Sequence, residues 1–470
     1  MAQDLFLYES ISLQLRRHIE SGTYQSGDRL PSVRELSRLF SVSVNTIVQC
    51  LRQLETDGYV NIKDRSGVFV AELLPTSTAA GTEFELLPVE VSLSEDILYY
   101  MEPHHQQQLV RLGIALPSAE LMPVERIMIT LREVTRKQPL DTWDYMHPHG
   151  HERFTHQLAR RSLHYPHQIS QNDVIITNGC MEGIELALRT VTRTGDTVAV
   201  ESPTYYGSLL ALEVMRRKVL EMPTHPRDGI CLYSLERAFK YRKVSACLIS
   251  TNAQNPLGYT MSAERKQRLV ELATRYEIPL IENDIWGDTV FSGDAVPAKA
   301  YDHAGMVIYC HSFSKSLSPG LRLGWVAPGR FHHRLRELKL ISSITTASAP
   351  QLMMTRLMES GFYAQHLIQL RQQLAKQSTS MSAAIMTHFP EGTRVARPTG
   401  GCVLWVSLPP QVDSRPLYDA ALENGIHVFP GRVFSPSQKY ANHLRINVGS
   451  PMTSVITDAV KRLGELAHNL

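Results

Sequence analysis

From about residue 111 to the C-terminus one short phrase recurs. A run of four or five apolar, strand-forming residues is followed by a polar turn and then a stretch with helical spacing. The runs are Asp173-Val-Ile-Ile-Thr177, Asp196-Thr-Val-Ala-Val200, Ala246-Cys-Leu-Ile-Ser250, Ile278-Pro-Leu-Ile281 and Met306-Val-Ile-Tyr309. Strands joined by helical crossovers pair mostly in parallel, with helices packed on the sheet. In open sheets of this kind, binding and reacting groups collect beyond the carboxyl ends of the strands. The residues after each run are therefore where chemistry is sought.

After the first run come Asn178-Gly179-Cys180-Met181-Glu182-Gly183 and a helical stretch from Ile184. Glycine at a helix entrance lets backbone N–H groups surround a phosphate, helped by the helix dipole. Alone, the stretch is also an ordinary βα turn. After the second run, Tyr205 offers a ring that can stack on an aromatic cofactor, or merely pack on the surface. After the third, Asn255 can donate its amide to a phenolic oxygen, although Asn255-Pro256 also makes a plain turn. After the fourth, Asp284 can keep a pyridine nitrogen protonated and so make the ring an electron sink, or can cap a helix. After the fifth stands Lys315, between Ser312, Ser314 and Arg322. Its amine can form an imine with an aldehyde. The hydroxyls and the guanidinium can hold a phosphate dianion by charge-assisted hydrogen bonds. An aldehyde plus a phosphate describes pyridoxal 5'-phosphate, whereas a lone Ser/Lys loop is a solvated turn. Each piece by itself is weak, but all five in this order at five strand ends are a much rarer coincidence.

Near the C-terminus, His443-Leu-Arg445-Ile-Asn-Val448 places Arg445 in a strand, suited to a bidentate clamp on a carboxylate. His147, His149 and His151 alternate through a Pro/Gly loop, which fits solvated histidines better than metal ligands. No metal site is expected.

The first seventy residues follow another plan. Ile11, Leu15 and Ile19 have helical spacing, stopped at Gly22. Ser32 and Glu35 have capping-box spacing just after Pro31 and open a helix with Leu36, Leu39 and Phe40 on its apolar face. A short break, Ser41-Val42-Ser43, leads to Val44, Ile47, Val48, Leu51 and Leu54, one face of a second helix closed by Asp57-Gly58. Residues 59–70 then alternate like a hairpin with a Ser-Gly turn. The sum is a winged helix-turn-helix. Asn45, Thr46 and Gln49, on the opposite face of the second helix, are types that bond base edges and phosphates from a helix N-terminus. The expected DNA contacts are these three with Arg34, Ser43, and Arg65 and Gly67 of the wing. Residues 1–71 hold eight Lys/Arg against eight Asp/Glu. A basic footprint must therefore come from placement, with Arg34, Arg38, Lys63 and Arg65 on one side. The alternative is a small helical protein-interaction domain.

At 470 residues the chain exceeds a single core. No apolar run approaches the roughly 18 residues that span a membrane, and the N-terminus lacks a basic region followed by an apolar one. The six cysteines are scattered, with no close pair, which fits a reducing cytoplasm rather than a disulfide framework. A formal net charge of +2 says little about partners. Small and chain-breaking residues from Leu74 to Thr82 read as a linker. Residues 83–100 read either as a short helix or as an extended segment laid on the next domain. The divisions expected are 1–72, a linker 73–110, a large domain 111–340 and a small domain 341–470.

The string from Gly27 to Val60, with the Gly67-Val-Phe-Val70 wing, closely resembles the GntR-type winged helix over residues 5–71. Residues 111–470 resemble the fold type I, class I aminotransferases: α/β, with a mostly parallel, seven-stranded-type large-domain sheet and a small α+β domain. That likeness implies pyridoxal 5'-phosphate on Lys315, Asp284 at the pyridine nitrogen, Asn255 at the cofactor hydroxyl and Tyr205 on the ring. It implies a phosphate cup of Gly179, Cys180, Met181, Ser312, Ser314 and Arg322, and Arg445 as the substrate-carboxylate arginine. Tyr145, ahead of Pro148-His-Gly150, matches a tyrosine lent to the neighbouring subunit. Trp286 stands where the family often has a tyrosine that donates to the cofactor hydroxyl. Together the two halves resemble the MocR family of bacterial transcriptional regulators. The resemblance implies a cytoplasmic homodimer, head-to-tail with exchanged DNA-binding domains, that binds operator DNA and senses the cofactor or its adduct with an amino compound. A working aminotransferase carrying a DNA-binding domain is the alternative.

Overall fold

The computed structural model describes residues 28–56, 59–63, 67–70, 87–105 and 108–470, together with residues 8, 11, 12, 14, 15, 19 and 24. They fall into two compact units, residues 1–82 and 83–470.

In the first unit the capping box forms as its spacing predicts. Ser32 Oγ accepts from the Glu35 N–H at 3.3 Å, and the Glu35 carboxylate accepts from the Ser32 N–H at 2.7 Å, opening the helix Val33–Leu39. The next helix, Val44–Thr56, is entered through Ser43, whose Oγ accepts from the Thr46 N–H at 3.1 Å. Ile47, Cys50, Leu51 and Leu54 bury one face against Leu36, Ile11, Leu15 and Ile19. β1 (Val60–Lys63) and β2 (Gly67–Val70) pair antiparallel, with Val60 opposite Val70. Arg29 bridges to Phe69 on the outer side of β2. These are the elements of a winged helix-turn-helix. Asp57, Gly58, Arg65 and the residues of the linker from 71 to 86 lie outside the described residues.

In the second unit, β3 is Val110–Arg111, followed by β4 (Ile175–Thr177), β5 (Thr197–Ser202), β6 (Lys218–His225), β7 (Gly229–Ile230), β8 (Ala246–Ile249), β9 (Leu280–Asn283), β10 (Val307–Ser312) and β11 (Gly324–Ala327). The sheet order is β4-β11-β10-β9-β8-β5-β6-β7. Seven strands make the main sheet, and the two-residue β7 is an antiparallel addition at the end of β6. All five runs read from the sequence are strands. Every residue of β4, β8, β9 and β10 is buried, as expected for strands covered on both faces.

β6 and β11 were not among the strands read from the sequence. β11 runs antiparallel to both β10 and β4. The 313–323 loop that carries Lys315 therefore turns back on itself. Gly324 makes this possible, because a Cβ there would meet the backbone carbon of Gly179 and the oxygen of His311 at 2.7 Å. The phosphate-loop candidate and the lysine loop are thereby brought edge to edge.

A smaller sheet has β12 (Arg394–Val395), β13 (Val403–Ser407), β16 (His443–Asn447) and β15 (Phe429–Pro430) in that order, while β14 (Ile426–His427) pairs with β3. Position 340, the expected end of the large domain, falls inside the helix His332–Ser343. The question left open for residues 83–100 resolves as both answers. Val89 exchanges two 2.8 Å backbone hydrogen bonds with Val219 of β6, and Ser94–Met101 is a helix. Among the described residues, no helix is long and apolar enough to cross a membrane.

Candidate functional site

Lys315 is half-buried beyond the end of β10. Its ammonium donates to the Ala115 carbonyl at 2.7 Å and stands 5.2 Å from the centre of the Trp286 ring. Burial lowers its pKa to about 8, and the guanidinium charges of Arg445 and Arg322 act in the same direction. An amine so placed is neutral, and hence nucleophilic, far more often than an exposed lysine.

Asp284 follows β9 and is buried. Its Oδ1 accepts from Asn252 Nδ2 at 2.9 Å and its Oδ2 from Tyr309 Oη at 2.7 Å. Burial, with the charge of Glu282 behind it, pushes the carboxyl up; the two donors and Lys266 pull it back. Lys266 fixes this arrangement. Its buried ammonium donates to Asn252 Oδ1 at 2.7 Å and to the carbonyls of Asp294 and Val296 at 3.0 and 2.7 Å. An ammonium only donates, so the Asn252 amide must turn its oxygen to Lys266 and its nitrogen to Asp284. Gly287 leaves the room: a Cβ there would strike the Asp284 carboxylate.

Arg445 lies in β16 between Trp405 of β13 and Phe429 of β15 and is 1% exposed. Its guanidinium carbon is 5.4, 5.0 and 5.1 Å from the ring centres of Tyr206, Phe429 and Phe434. One Nη donates to Asn255 Oδ1 at 3.3 Å and the other to the Gly113 carbonyl at 2.7 Å, while the buried Nε has no partner. Among the described residues no carboxylate pairs with it. A buried, unpaired guanidinium is costly, and a carboxylate ligand relieves that cost. Asn255 spends its oxygen on Arg445, which leaves its Nδ2 to donate elsewhere.

The phosphate-loop residues gather at one helix end. Gly179, at φ 83°, precedes the helix Cys180–Val191 and gives it no side-chain cap, so its leading N–H groups remain for an anion. The Arg322 guanidinium packs over Gly179, where a Cβ would meet it at 2.7 Å, and donates to the Asn178 carbonyl at 2.8 Å. Cys180 is buried and Met181 half-buried at the same turn. Ser312 Oγ accepts from the Ser314 N–H at 3.1 Å, donates to the Leu323 carbonyl at 3.1 Å and lies 2.8 Å from Ser314 Oγ. Ser312 is thus largely engaged in holding the loop. Tyr205 is half-buried beside Tyr206, 4.7 Å between ring centres. Tyr145 stands apart, 77% exposed near Trp143 at 90%.

The family pattern described as aminotransferase class I and II matches residues 110–463, and that described as bacterial regulatory proteins, gntR family, matches residues 7–70. The chain is a class I and II aminotransferase family member with a GntR-type head. The HTH-type transcriptional regulator YdcR of Escherichia coli is 34% identical over 464 residues, 98% of each chain. The multiple substrate aminotransferase of Thermococcus profundus superposes with a TM-score of 0.73 at 26% identity, over 80% of this chain and 94% of that one. The kynurenine aminotransferase of Pyrococcus horikoshii, solved in complex with PMP, gives 0.73 at 28% identity, over 81% and 95%. A GntR-type head followed along the chain by an aminotransferase body is the domain order of MocR-type regulators.

The residues present fit the cofactor of this aminotransferase family. An uncapped helix end and Arg322 suit a phosphate, Asp284 with both oxygens oriented suits a pyridinium, and Lys315 suits an aldehyde. Sequence reasoning missed Asn252, Tyr309 and Lys266, as well as the Ala115 carbonyl. It also missed Cys402, a buried thiol beside Lys315 whose pKa burial pushes up to about 12. Asn252 was in plain view three residues before Asn255. Lys266, within the helix Ala263–Tyr276, carries no signal that separates it from a solvated lysine.

A second buried network lies under the lysine loop. Asp288 accepts from Arg161 and from Tyr363 Oη, the latter at 2.6 Å, with His311 Nε2 at 3.3 Å. Burial works to raise its carboxyl, but Arg161 and His311 overcome this and hold it well below the usual range. Tyr363 Oη also lies 2.7 Å from Ser316 Oγ, next to Lys315. In the histidine loop, His147 stacks on His149 and His149 on His332, with centroids 5.2 and 5.1 Å apart and planes 15° and 10° apart.

On the GntR-type head, Arg34, Ser43, Asn45 and Gln49 are exposed and Thr46 is half-buried. Ser43 and Thr46 bond each other at 2.8 Å in the cap, so both serve the helix end first. Gly67, at φ 114°, sits under Arg29, whose Nε lies 2.7 Å from where a Cβ would be. The sequence reading passed over Arg29, an exposed guanidinium at the base of the wing.

Proposed function

We propose that the protein is a transcriptional regulator that binds operator DNA through its head and holds pyridoxal 5'-phosphate covalently on Lys315, reporting the cofactor or its adduct with an amino compound. One observation carries this reading: the buried Arg445 and the half-buried Lys315 are neighbouring cations, each against aromatic rings, and among the described residues neither has a carboxylate partner. Lys315 supplies the attachment amine. Asp284, oriented by Asn252 and Tyr309, holds the ring-nitrogen proton. Asn255 donates Nδ2 to the ring hydroxyl, Tyr205 covers the ring, and the N–H groups of Cys180 and Met181 with Ser314 and Arg322 hold the phosphate. When bound, the cofactor would supply an electrophilic carbon open to the Lys315 amine or to a ligand's amine. Arg445 then takes the ligand's carboxylate.

The exposed Tyr145 and Trp143 support a homodimer in which Tyr145 serves the partner's phosphate, head-to-tail with exchanged heads. The ligand acts on DNA binding only through its different affinity for the two arrangements of the dimer.

The test is an absorbance spectrum of the purified protein before and after borohydride, with peptide mapping, followed by DNA binding with and without candidate amines. A visible band fixed at Lys315 and an operator affinity that changes with the amine are expected. A colourless protein, or an unchanged affinity, overturns the reading. Because every charged position is filled, a second reading is a working aminotransferase. Steady turnover of an amino acid with 2-oxoglutarate would favour it, and amine exchange without turnover favours the regulator. Trp286 bears on this choice, since an indole N–H donates but cannot accept.

A further inference from the structure

Arg445 is enclosed by rings from separate elements, and two of those elements also grip the helix that follows the linker. Tyr206 is the first residue of the helix Tyr206–Val214. Near the other end of that helix, the Glu213 carboxylate accepts from the N–H groups of Leu93 and Ser94 at 2.8 and 3.1 Å and from Ser94 Oγ at 2.7 Å. The N-cap residue Leu93 offers this helix, Ser94–Met101, no side-chain cap, so the Glu213 carboxylate holds the leading N–H groups in its place, alongside Glu95 and Asp96 of the first turn. At its far end, Tyr100 is 1% exposed. Its ring lies 4.7 Å from Tyr418 and 6.0 Å from Phe429, and its carbonyl is 2.8 Å from His427 Nε2. Phe429 is the ring 5.0 Å from the Arg445 guanidinium, and it stacks on Tyr206 at 4.7 Å with planes 6° apart. Arg415 adds a third hold, over the rings of Tyr99 and Tyr100 at 4.9 and 5.5 Å.

We propose that the helix Ser94–Met101 is the element through which occupation of the Arg445 site is passed to the linker and the DNA-binding head. Its N-terminus is tied to the helix that carries Tyr206, and its C-terminus to the strand that carries Phe429. A carboxylate arriving at Arg445 shifts the guanidinium that lies against this stacked pair, 5.4 and 5.0 Å from the two ring centres, and any change in their stacking moves both anchors of one eight-residue helix. Residues 1–86 connect to the body through this segment. Coupling then needs no direct contact between ligand and head, only an element held by both walls of the site. This inference rests on the effector reading above.

The test compares wild type with Glu213→Gln and with Ser94→Ala, the milder change, neither of which touches the cofactor site. The probe is the stable adduct N-(5'-phosphopyridoxyl)-L-leucine, and the DNA is a duplex selected by the purified protein from a random pool. In wild type the adduct should change DNA affinity by roughly fivefold or more, the usual floor for such coupling. It should also slow amide exchange in residues 93–101. In Glu213→Gln the change should fall to within about twofold of none, with Ser94→Ala intermediate and adduct affinity kept in both. Full coupling in Glu213→Gln overturns the inference, as does a wild-type DNA response without any exchange change in 93–101. If the adduct binds wild type but DNA affinity does not respond, the effector reading itself falls and takes this inference with it.

Discussion

The head and the body of this chain do opposite things with their functional side chains. In the head, Arg34, Asn45 and Gln49, the proposed DNA contacts, stand exposed on a small core. In the body, Lys315, Asp284 and Arg445 are drawn inside, and their neighbours reset their proton affinity and orientation. An exposed contact residue does nearly the same thing in any well-formed helix. A buried charge has a function only because particular atoms around it were arranged first.

Five substitutions or titrations probe that contrast, in descending order of expected effect. Lys315→Ala should abolish the visible band and the borohydride-fixed mass while leaving DNA binding without ligand near wild type, read by spectrum and DNA titration. Arg445→Gln should cost a carboxylate ligand about 2–5 kcal/mol in affinity, measured by titration calorimetry with the leucine adduct. The same change should raise the melting temperature of the ligand-free protein, because it removes an unpaired buried charge. A fall in both would weaken the idea that the guanidinium waits for a ligand.

The third probe is pH. Lys315 attacks as the neutral amine and its pKa is lowered to about 8. Cofactor loading should therefore accelerate about tenfold per unit of rising pH up to about 8, then level off. Continued acceleration towards pH 10 would show an ordinary, solvated lysine. Fourth, Asn45→Ala or Gln49→Ala should cost about 1–3 kcal/mol on the selected duplex and nothing in the cofactor spectrum. Last, Ser32→Ala removes half of a capping box and should cost the head about 1 kcal/mol, seen in its thermal unfolding.

How much of this was legible in the sequence follows the same division. The capping box of Ser32 and Glu35 and the apolar face around Ile47 are local patterns, and the head forms as they read. In the body, Lys315, Asp284 and Asn255 could be found because each follows a strand whose apolar run announces it. β11 could not, since Gly324-Trp-Val-Ala327 is short and begins in a glycine that matters only because Gly179 lies beside it. Lys266 was invisible for a related reason. Its helix looks amphipathic with charges outward, and only the folded chain brings the carbonyls of Asp294 and Val296 to its ammonium. Tyr309 was seen as a strand former, and its hydroxyl became relevant once β9 and β10 paired in register, Tyr309 opposite Glu282.

Gly287 touches no ligand and contributes no hydrogen-bonding side chain, yet its bare Cα leaves Asp284 one place to rest. A single added methyl there would swing the carboxylate out of line while every named reactive group stayed in the alignment. Relatives that have grown deaf to vitamin B6 should therefore be sought first at this silent position, not at the lysine.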